Sequence, residues 1–295
     1  MSRPPRIIDP IQATFGEALA AIADEQKPEV ETENTFARPF LKWVGGKRSI
    51  LDELSKRVPK TYTAYYEPFI GGGALFFREQ PAKAYLADIN FHLVITYQAV
   101  RDDVERLITN LNLHAKNHNL AYFQKARERL CKEKDTTKIA ALLIYLNKTC
   151  FNGLYRVNKD GKFNVPIGSY KDPTLFEEDV LRNDSKVLQG VTLYQHPFDQ
   201  TPIVREAFYY LDPPYHKTYD GYNGTGFDDA EHTRLAEFCR EISTAKGYFM
   251  LSNSDTSFVR ELYKGFTIEQ ISASRSVSCK GHQRGKENEL LIRNY

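Results

Sequence analysis

The chain has 295 residues, 41% of them hydrophobic and 26% charged, a composition typical of a soluble protein with one large domain or two modest ones. No run approaches 18 consecutive apolar residues and the first residues carry no apolar stretch, so the sequence predicts neither a membrane span nor a secretory signal. The four cysteines are scattered without a C-x-x-C pair, which favours reduced thiols in a cytoplasm and predicts no metal site.

The net charge of +2 conceals an asymmetry along the chain. Residues 114–171 contain 12 Lys/Arg and 4 Asp/Glu, so this block is strongly basic and the remainder is slightly acidic. Such a block favours a polyanion-binding surface, with a solvated lysine-rich helix face as the alternative.

The first 35 residues are predicted to be an appendage. Phe15, Leu19 and Ile22 recur at helical spacing, and an acidic, proline-containing linker follows from Asp24 to Asn34.

From residue 36 the pattern becomes strand–turn–helix. Apolar, β-prone segments predict four strands, over Ala64–Glu67, Ala84–Asp88, Phe208–Asp212 and Tyr248–Asn253. Helices are predicted between them, including 74–79 and 229–245. This alternation indicates an α/β fold whose mainly parallel sheet has helices on both faces. Residues 101–184 interrupt it with a long helical run and a hairpin that turns at Asp160-Gly161.

The first predicted half-site is the glycine-rich turn Glu67-Pro68-Phe69-Ile70-Gly71-Gly72-Gly73, between a strand and a helix. Asp88 ends the next strand, where a carboxylate can accept the hydroxyl protons of a ribose. The turn departs from G-x-G-x-x-G, which favours a cofactor without a diphosphate, although a merely tight turn is equally compatible. Upstream, Gly45-Gly46 permit a bend that points Lys47 toward an anion; the alternative is a core Trp43 beside surface lysines.

The second predicted half-site is Asp212-Pro213-Pro214-Tyr215, which follows an apolar strand directly. The prolines stiffen the loop at the carboxyl end of the strand, where α/β sheets bind ligands. The Asp212 carboxylate and the Pro213 carbonyl then present two acceptors, which match the two N–H donors of an aromatic amine. This arrangement suits the transfer of a methyl group to that nitrogen, because the carboxylate stabilises the positive charge that develops there. Tyr215 offers an aromatic face on which a base can stack.

These motifs, in this order, resemble the Dam-type DNA adenine-N6 methyltransferases of bacteria and phages. The resemblance covers roughly residues 37–295 and implies a Rossmann-like methyltransferase sheet interrupted by a helical and hairpin target-recognition domain. It implies a catalytic domain over 36–100 and 185–295, and a DNA-reading domain over 101–184. It also implies an S-adenosylmethionine pocket, whose expected residues are Trp43, Lys47, Phe69, Gly71, Gly73, Asp88, Phe198 and Asp212.

The insert shares the likeness, because Asn147–Arg156 and Gly161–Gly168 resemble the DNA-reading hairpin of that family. By this resemblance Arg156 contacts a guanine edge, with a phosphate contact as the alternative. Phe151 fills the stack vacated by the target base. The remaining expected DNA contacts are Lys42, Asn152, Leu154, Pro166 and Tyr170.

Two departures from the family pattern stand out. The family often has Asp-Phe before the catalytic strand, whereas this chain has His196-Pro197-Phe198-Asp199, which leaves only Phe198 to stack on adenine. The first 35 residues have no counterpart in shorter members.

A polar loop near the C-terminus contains four cations that are candidates for phosphate contacts, with a merely solvated loop as the alternative. They are Arg275, Lys280, Arg284 and Lys286.

The resulting hypothesis is an enzyme that methylates N6 of a flipped adenine in duplex DNA, in GATC or another short near-palindromic site. Cytosine N4, RNA or a protein amide remain alternative substrates; a nicotinamide-dependent oxidoreductase and a DNA-binding protein without catalysis are alternatives from other classes. The expected location is the cytoplasm and nucleoid of a bacterial or phage-infected cell, without a membrane. A homodimer on DNA and a cognate restriction enzyme are left open.

Overall fold

A computed structural model of the chain describes residues 37–170, 173–217, 227–274 and 286–295, with backbone alone for 272–274 and 286–288. The predicted N-terminal helix and linker lie outside the described residues. So do Arg275, Lys280, Arg284 and the side chain of Lys286.

The described residues form one seven-stranded sheet with helices packed against it. The strands are β1 (Tyr65–Glu67), β2 (Ala84–Asp88), β3 (Thr192–Gln195), β4 (Phe208–Leu211), β5 (Tyr248–Ser254), β6 (Thr267–Ser274) and β7 (Lys286–Arg293). The helices are α1 (Leu51–Ser55), α2 (Ala74–Glu79), α3 (Phe91–Asp102), α4 (Val104–Lys116), α5 (Leu120–Leu130), α6 (Thr136–Thr149), α7 (Glu178–Leu188), α8 (Asp229–Thr244) and α9 (Ser257–Leu262).

The strand order is β3-β2-β1-β4-β5-β7-β6, and the first five strands in that order are parallel. β7 runs antiparallel to both β5 and β6. The mainly parallel sheet predicted from the sequence is therefore confirmed. The three strands β3, β6 and β7 were not predicted.

Cross-strand register brings tyrosines together on one face of the sheet. Tyr66 of β1 is aligned with Tyr85 of β2 and Tyr209 of β4, and both neighbouring rings stack on it with centroids 4.7 Å away. Stacked aromatic pairs stabilise adjacent strands beyond their burial alone. This row fixes the register at the centre of the sheet, where the two predicted half-sites begin.

The insert contains three helices and the predicted hairpin. α6 is apolar around most of its surface, with 11 of its 14 residues buried, so it forms the centre of this helical layer. The hairpin is confirmed by backbone hydrogen bonds from Asn158 N to Lys162 O at 2.9 Å and from Asn164 N to Arg156 O at 3.0 Å.

Residues Phe36–Tyr295 form one compact unit. Ala140 and Ile144 of α6 belong to the same apolar cluster as Tyr65 and Leu86 of the sheet. The insert therefore shares a core with the sheet, and its separation as a target-recognition domain over 101–184 stays a prediction.

Candidate active site

The sheet brings the two half-sites to one edge, because parallel β1 and β4 are neighbours and both end there. Asp212 follows β4 directly. Its Oδ2 lies 2.7 Å from Lys47 Nζ, which also donates to the Gly45 carbonyl at 2.5 Å. Its Oδ1 is buried and has no hydrogen-bond partner among the described residues. Asp212 thus has one oxygen held by a cation and one oxygen available to a ligand.

Opposing influences set the ionisation of Asp212. Burial and, to a smaller extent, the nearby Glu289 raise the pKa of its carboxyl while the Lys47 ammonium lowers it, and the net pKa is about 6. Near neutral pH the carboxylate form predominates. A buried acceptor oxygen on an ionised carboxylate is suited to receiving a polar N–H.

Tyr215 is held on two sides. Its hydroxyl donates to Glu289 Oε2 at 2.8 Å, and Lys47 Nζ lies 4.9 Å from the centroid of its ring. Burial and the nearby carboxylates raise the pKa of the Tyr215 hydroxyl well above its usual value, so it remains a donor. The aromatic ring therefore has a defined orientation beside Asp212.

The end of the loop is tied to β5. Asn253 Oδ1 accepts from the His216 N–H at 3.0 Å, and the Ser254 hydroxyl donates to the His216 carbonyl at 2.6 Å. The His216 ring lies 2.8 Å from the Thr256 hydroxyl. The stiffness that the sequence indicated from two prolines thus has a second source in these side chains.

The glycine-rich turn is shaped by close contacts. Gly71 (φ +46°) and Gly73 (φ +65°) both lie in the left-handed region that favours glycine. A Cβ on Gly71 would lie 2.8 Å from the Trp43 ring, and one on Gly73 would lie 2.8 Å from the Tyr97 hydroxyl. The turn therefore packs directly against Trp43, as expected for a shared pocket wall.

Asp88 is joined to the same turn. Its Oδ2 accepts from Gly71 N at 3.3 Å and its Oδ1 accepts from Asn90 N at 2.9 Å. Burial raises the pKa of this carboxyl to about 6, while these backbone donors lower it. Short contacts thus form two groups at this edge of the sheet. One contains Trp43, Gly71 and Asp88, and the other contains Lys47 and Asp212.

Phe198, which the sequence predicts to stack on adenine, is largely buried. It is 4% exposed, it stacks against Phe69 with centroids 5.4 Å apart, and Arg234 lies 5.4 Å from its ring. Phe198 presents little surface, whereas Phe69 is partly exposed. Cofactor contact by Phe198 stays a prediction that would require these neighbours to move.

Glu67 is a titratable residue of the site whose own role the sequence did not indicate. It ends β1, is 2% exposed, and accepts from the Tyr65 hydroxyl at 2.7 Å. Burial raises the pKa of its carboxyl to about 8, so it carries a proton at neutral pH. Only its alternation with Tyr65 along the strand could have hinted at this inward placement.

The hairpin is attached to the segment that carries Trp43 and Lys47. Asn147 accepts from Lys42 N at 2.9 Å and donates to Lys42 O at 2.7 Å and Gly153 O at 2.9 Å. The Trp43 ring stacks against Tyr155 with centroids 5.7 Å apart. The hairpin and the proposed cofactor pocket therefore share a wall.

The expected DNA-contacting side chains are mostly presented to solvent. Phe151 is 45% exposed, and Lys42 Nζ lies 4.5 Å above the ring of Tyr170, which is also exposed. Arg156 Nε donates to Asn164 Oδ1 at 2.7 Å, which orients the guanidinium on the hairpin. Pro166 is exposed, whereas Asn152, Leu154 and Arg156 are partly buried.

No helix within the described residues is both long and apolar enough to cross a membrane.

Comparison with known proteins adds a family and named relatives. The family model described as D12 class N6 adenine-specific DNA methyltransferase matches residues 43–277. The type II methyltransferase M.MjaIII of Methanocaldococcus jannaschii is 40% identical over 88% of this chain and 99% of its own length. The type II methyltransferase M1.LlaDCHI of Lactococcus lactis subsp. cremoris is 36% identical over 88% of this chain and 95% of its own length. A DNA adenine methylase of Haemophilus influenzae is 33% identical over 86% of this chain and 92% of its own length.

Proposed function

The chain belongs to the D12 class of N6 adenine-specific DNA methyltransferases, and on that premise we propose that it methylates an adenine flipped out of duplex DNA. The proposed donor is S-adenosylmethionine and the proposed site is GATC or a similar short sequence. Family membership favours adenine in DNA as the substrate over cytosine, RNA and a protein amide. It also favours methyl transfer over a nicotinamide-dependent reaction.

The residues at the sheet edge fit this donor. Lys47 and Asp212 offer opposite charges for the carboxylate and ammonium of an amino acid, and Asp88 offers acceptors for a ribose. Gly71 and Gly73 let the turn pack closely against Trp43 and Tyr97, since a Cβ on either glycine would lie 2.8 Å from one of those side chains. When bound, S-adenosylmethionine supplies an electrophilic methyl group on a sulfonium.

The observation that carries the proposal is the buried Oδ1 of Asp212, which has no hydrogen-bond partner among the described residues, beside an Oδ2 held by Lys47. A buried acceptor without a donor costs about 1–3 kcal/mol, which a bound N–H would recover. We propose that this oxygen and the Pro213 carbonyl accept the two amino protons of adenine. The carboxylate then stabilises the positive charge that develops on nitrogen.

DNA contacts complete the proposal. Phe151, exposed on the hairpin, fills the gap left by the flipped base, and Tyr215 stacks on that base. Arg156 reads a guanine edge with the guanidinium donors that Asn164 leaves free. Asn152, Leu154 and Pro166 add base contacts, while Lys42 and Tyr170 lie along the flanking DNA.

The central test replaces Asp212. We expect Asp212→Ala to lower methylation at least ~1000-fold, because it removes the acceptor that stabilises charge on the nitrogen, while DNA binding is retained. The matched control is Asp179→Ala, because this carboxylate is 97% exposed on α7. Mass analysis of nucleosides from treated DNA measures N6-methyladenine, and an Asp212→Ala enzyme with full turnover would contradict the proposal.

The site preference needs a separate measurement. Sequencing of modified adenines in treated DNA is expected to show one short near-palindromic motif, with GATC as the leading candidate. Methylation of adenines without regard to their neighbours would contradict sequence reading by the hairpin.

A further inference from the structure

Glu289 has a buried side chain to which neither the sequence motifs nor the proposed mechanism assigns a role. It lies on β7 opposite Ser254 of β5 and Ile271 of β6, and it is 8% exposed. The residues that follow it, Leu290 and Leu291, are fully buried apolar side chains. Because burying a carboxylate is costly unless it is hydrogen-bonded, its contact at this position is informative.

That contact is with the proposed base-stacking residue. Glu289 Oε2 accepts from the Tyr215 hydroxyl at 2.8 Å, across 74 residues of sequence. The hydroxyl is fixed at one end of the ring, and Lys47 Nζ lies 4.9 Å from the ring centroid. These two contacts of different kinds restrain the ring, and the hydroxyl contact comes from β7.

Glu289 also affects the charge around Asp212. Among the described residues, the titratable groups that interact electrostatically with Asp212 include Lys47, Glu67, Tyr210, Tyr215 and Glu289. Glu67 carries its proton at neutral pH, since burial raises its pKa to about 8, and the two tyrosines are neutral. Besides burial, Glu289 raises the pKa of Asp212, as a nearby negative group does, whereas Lys47 lowers it, and negative charge at this position suits an amine that becomes cationic.

We infer that Glu289 is a positioning residue for methyl transfer, which orients Tyr215 through its hydroxyl and adds a second carboxylate beside Asp212. The inference rests on the proposed function, in which Tyr215 stacks on the flipped adenine and Asp212 accepts from its amine. A side chain of β7 thereby helps to hold the site in position.

Three variants separate the two roles. Glu289→Leu removes the acceptor and the charge, Glu289→Gln keeps an acceptor oxygen without the charge, and Tyr215→Phe keeps the ring without its hydroxyl. The matched control is Glu269→Gln, which removes a carboxylate from the adjoining strand β6, where it pairs with Arg57 rather than Tyr215. The measurements are single-turnover methylation of a duplex across pH and fluorescence of 2-aminopurine at the target position.

We expect Glu289→Leu and Tyr215→Phe each to slow single turnover ~10-fold, about 1.4 kcal/mol in barrier. The double variant is expected to be no slower than the slower single variant, because both changes break one hydrogen bond. Glu289→Gln is expected to move the acid limb of the pH profile to lower pH, whereas Glu269→Gln leaves it in place. The 2-aminopurine signal is expected to fall in both variants that lack the contact.

Multiplicative effects in the double variant, or a wild-type rate and pH profile in Glu289→Leu, would overturn the inference. Thermal unfolding of each variant checks folding, and the near-isosteric Glu289→Gln keeps the test available if Glu289→Leu is unstable. Full methylation by Asp212→Ala defeats the proposed function itself, whereas loss in Asp212→Ala with unaffected Glu289 variants defeats only the positioning role.

Discussion

The Asp212 carboxyl titrates close to neutral pH because burial and Lys47 act on it in opposite directions. Methylation requires the ionised acceptor, so the rate is expected to fall as pH drops through about 6. Lys47→Met removes the cation that lowers this pKa, and the acid limb should move to higher pH. Single-turnover rates across pH measure the shift; Lys56→Met, an exposed lysine on the surface, serves as the control. An unmoved limb in Lys47→Met would contradict this account.

Glu67 predicts a pH-dependent stability. Its pKa is raised to about 8 in the folded chain, so between about 4.5 and 8 the folded state binds a proton that the unfolded state has lost. The free energy of unfolding therefore decreases as pH rises, by at most ~1.4 kcal/mol per pH unit. Glu67→Gln, which stays neutral, is expected to flatten this slope and stabilise the protein at pH 8. Denaturant unfolding at several pH values measures it, and equal slopes in both proteins would disprove it.

Residues differ in how far the sequence reveals their roles. Asp212, Gly71 and Asp88 stand in short motifs whose backbone chemistry is local, so their convergence at one sheet edge was predictable. Glu289 was missed because its contact with Tyr215 spans 74 residues of sequence. Glu67 was missed because its contact with Tyr65 is local but carries no motif beyond alternation along β1. The stacking of Phe198 on adenine stays a prediction, whereas its packing against Phe69 depends on tertiary structure that the sequence does not reveal locally.

At the scale of elements, the C-terminal end of α6 joins the hairpin to the 42–47 segment. Asn147 is 1% exposed, and within the described residues its side chain hydrogen-bonds backbone groups of Lys42 and Gly153. A Cβ on Gly153 would lie 2.5 Å from Lys42 Cβ, so the two segments pack without space between them. A disturbance at this junction therefore affects the hairpin and the proposed cofactor wall together.

Asn147→Ala tests the junction. It removes the partner of one buried backbone group, at Gly153, and of two part-buried ones, at Lys42, and we expect a loss of about 2–4 kcal/mol in unfolding free energy. We also expect poorer discrimination between the preferred duplex and one with a single altered base pair, since the hairpin is no longer held. Asn110→Ala, an exposed amide on α4 bonded only within its helix, is the control. Unchanged discrimination in a folded Asn147→Ala enzyme would refute the role.

Among elements, the strands with strong apolar runs were predicted and the remaining ones were not. β3, β6 and β7 mix polar and apolar residues, and their pairing is set by the sheet rather than by local preference. The hairpin was predictable because Asp160-Gly161 is a local turn signal, and Gly161 has a φ of +74°.

For the whole molecule, the excess of cations in 114–171 predicts salt-dependent DNA binding. Each phosphate neutralised releases counterions, so the logarithm of affinity should fall linearly with the logarithm of salt concentration. Replacing an exposed basic residue such as Lys125 by Gln should reduce that slope by about 1 if it contacts a phosphate. Lys264→Gln, an exposed lysine outside the block, is the control. Fluorescence anisotropy at several salt concentrations measures both, and equal slopes would argue against this surface.

The placement of β7 between β5 and β6 bears on the timing of synthesis. The ribosome completes the Asp212 loop long before Glu289, since 74 residues separate Tyr215 from its partner. A nascent chain that stops before residue 286 lacks the strand that fills the gap beside β5, and Tyr215 has no carboxylate to meet. Competence for methyl transfer is therefore expected to arrive late in translation.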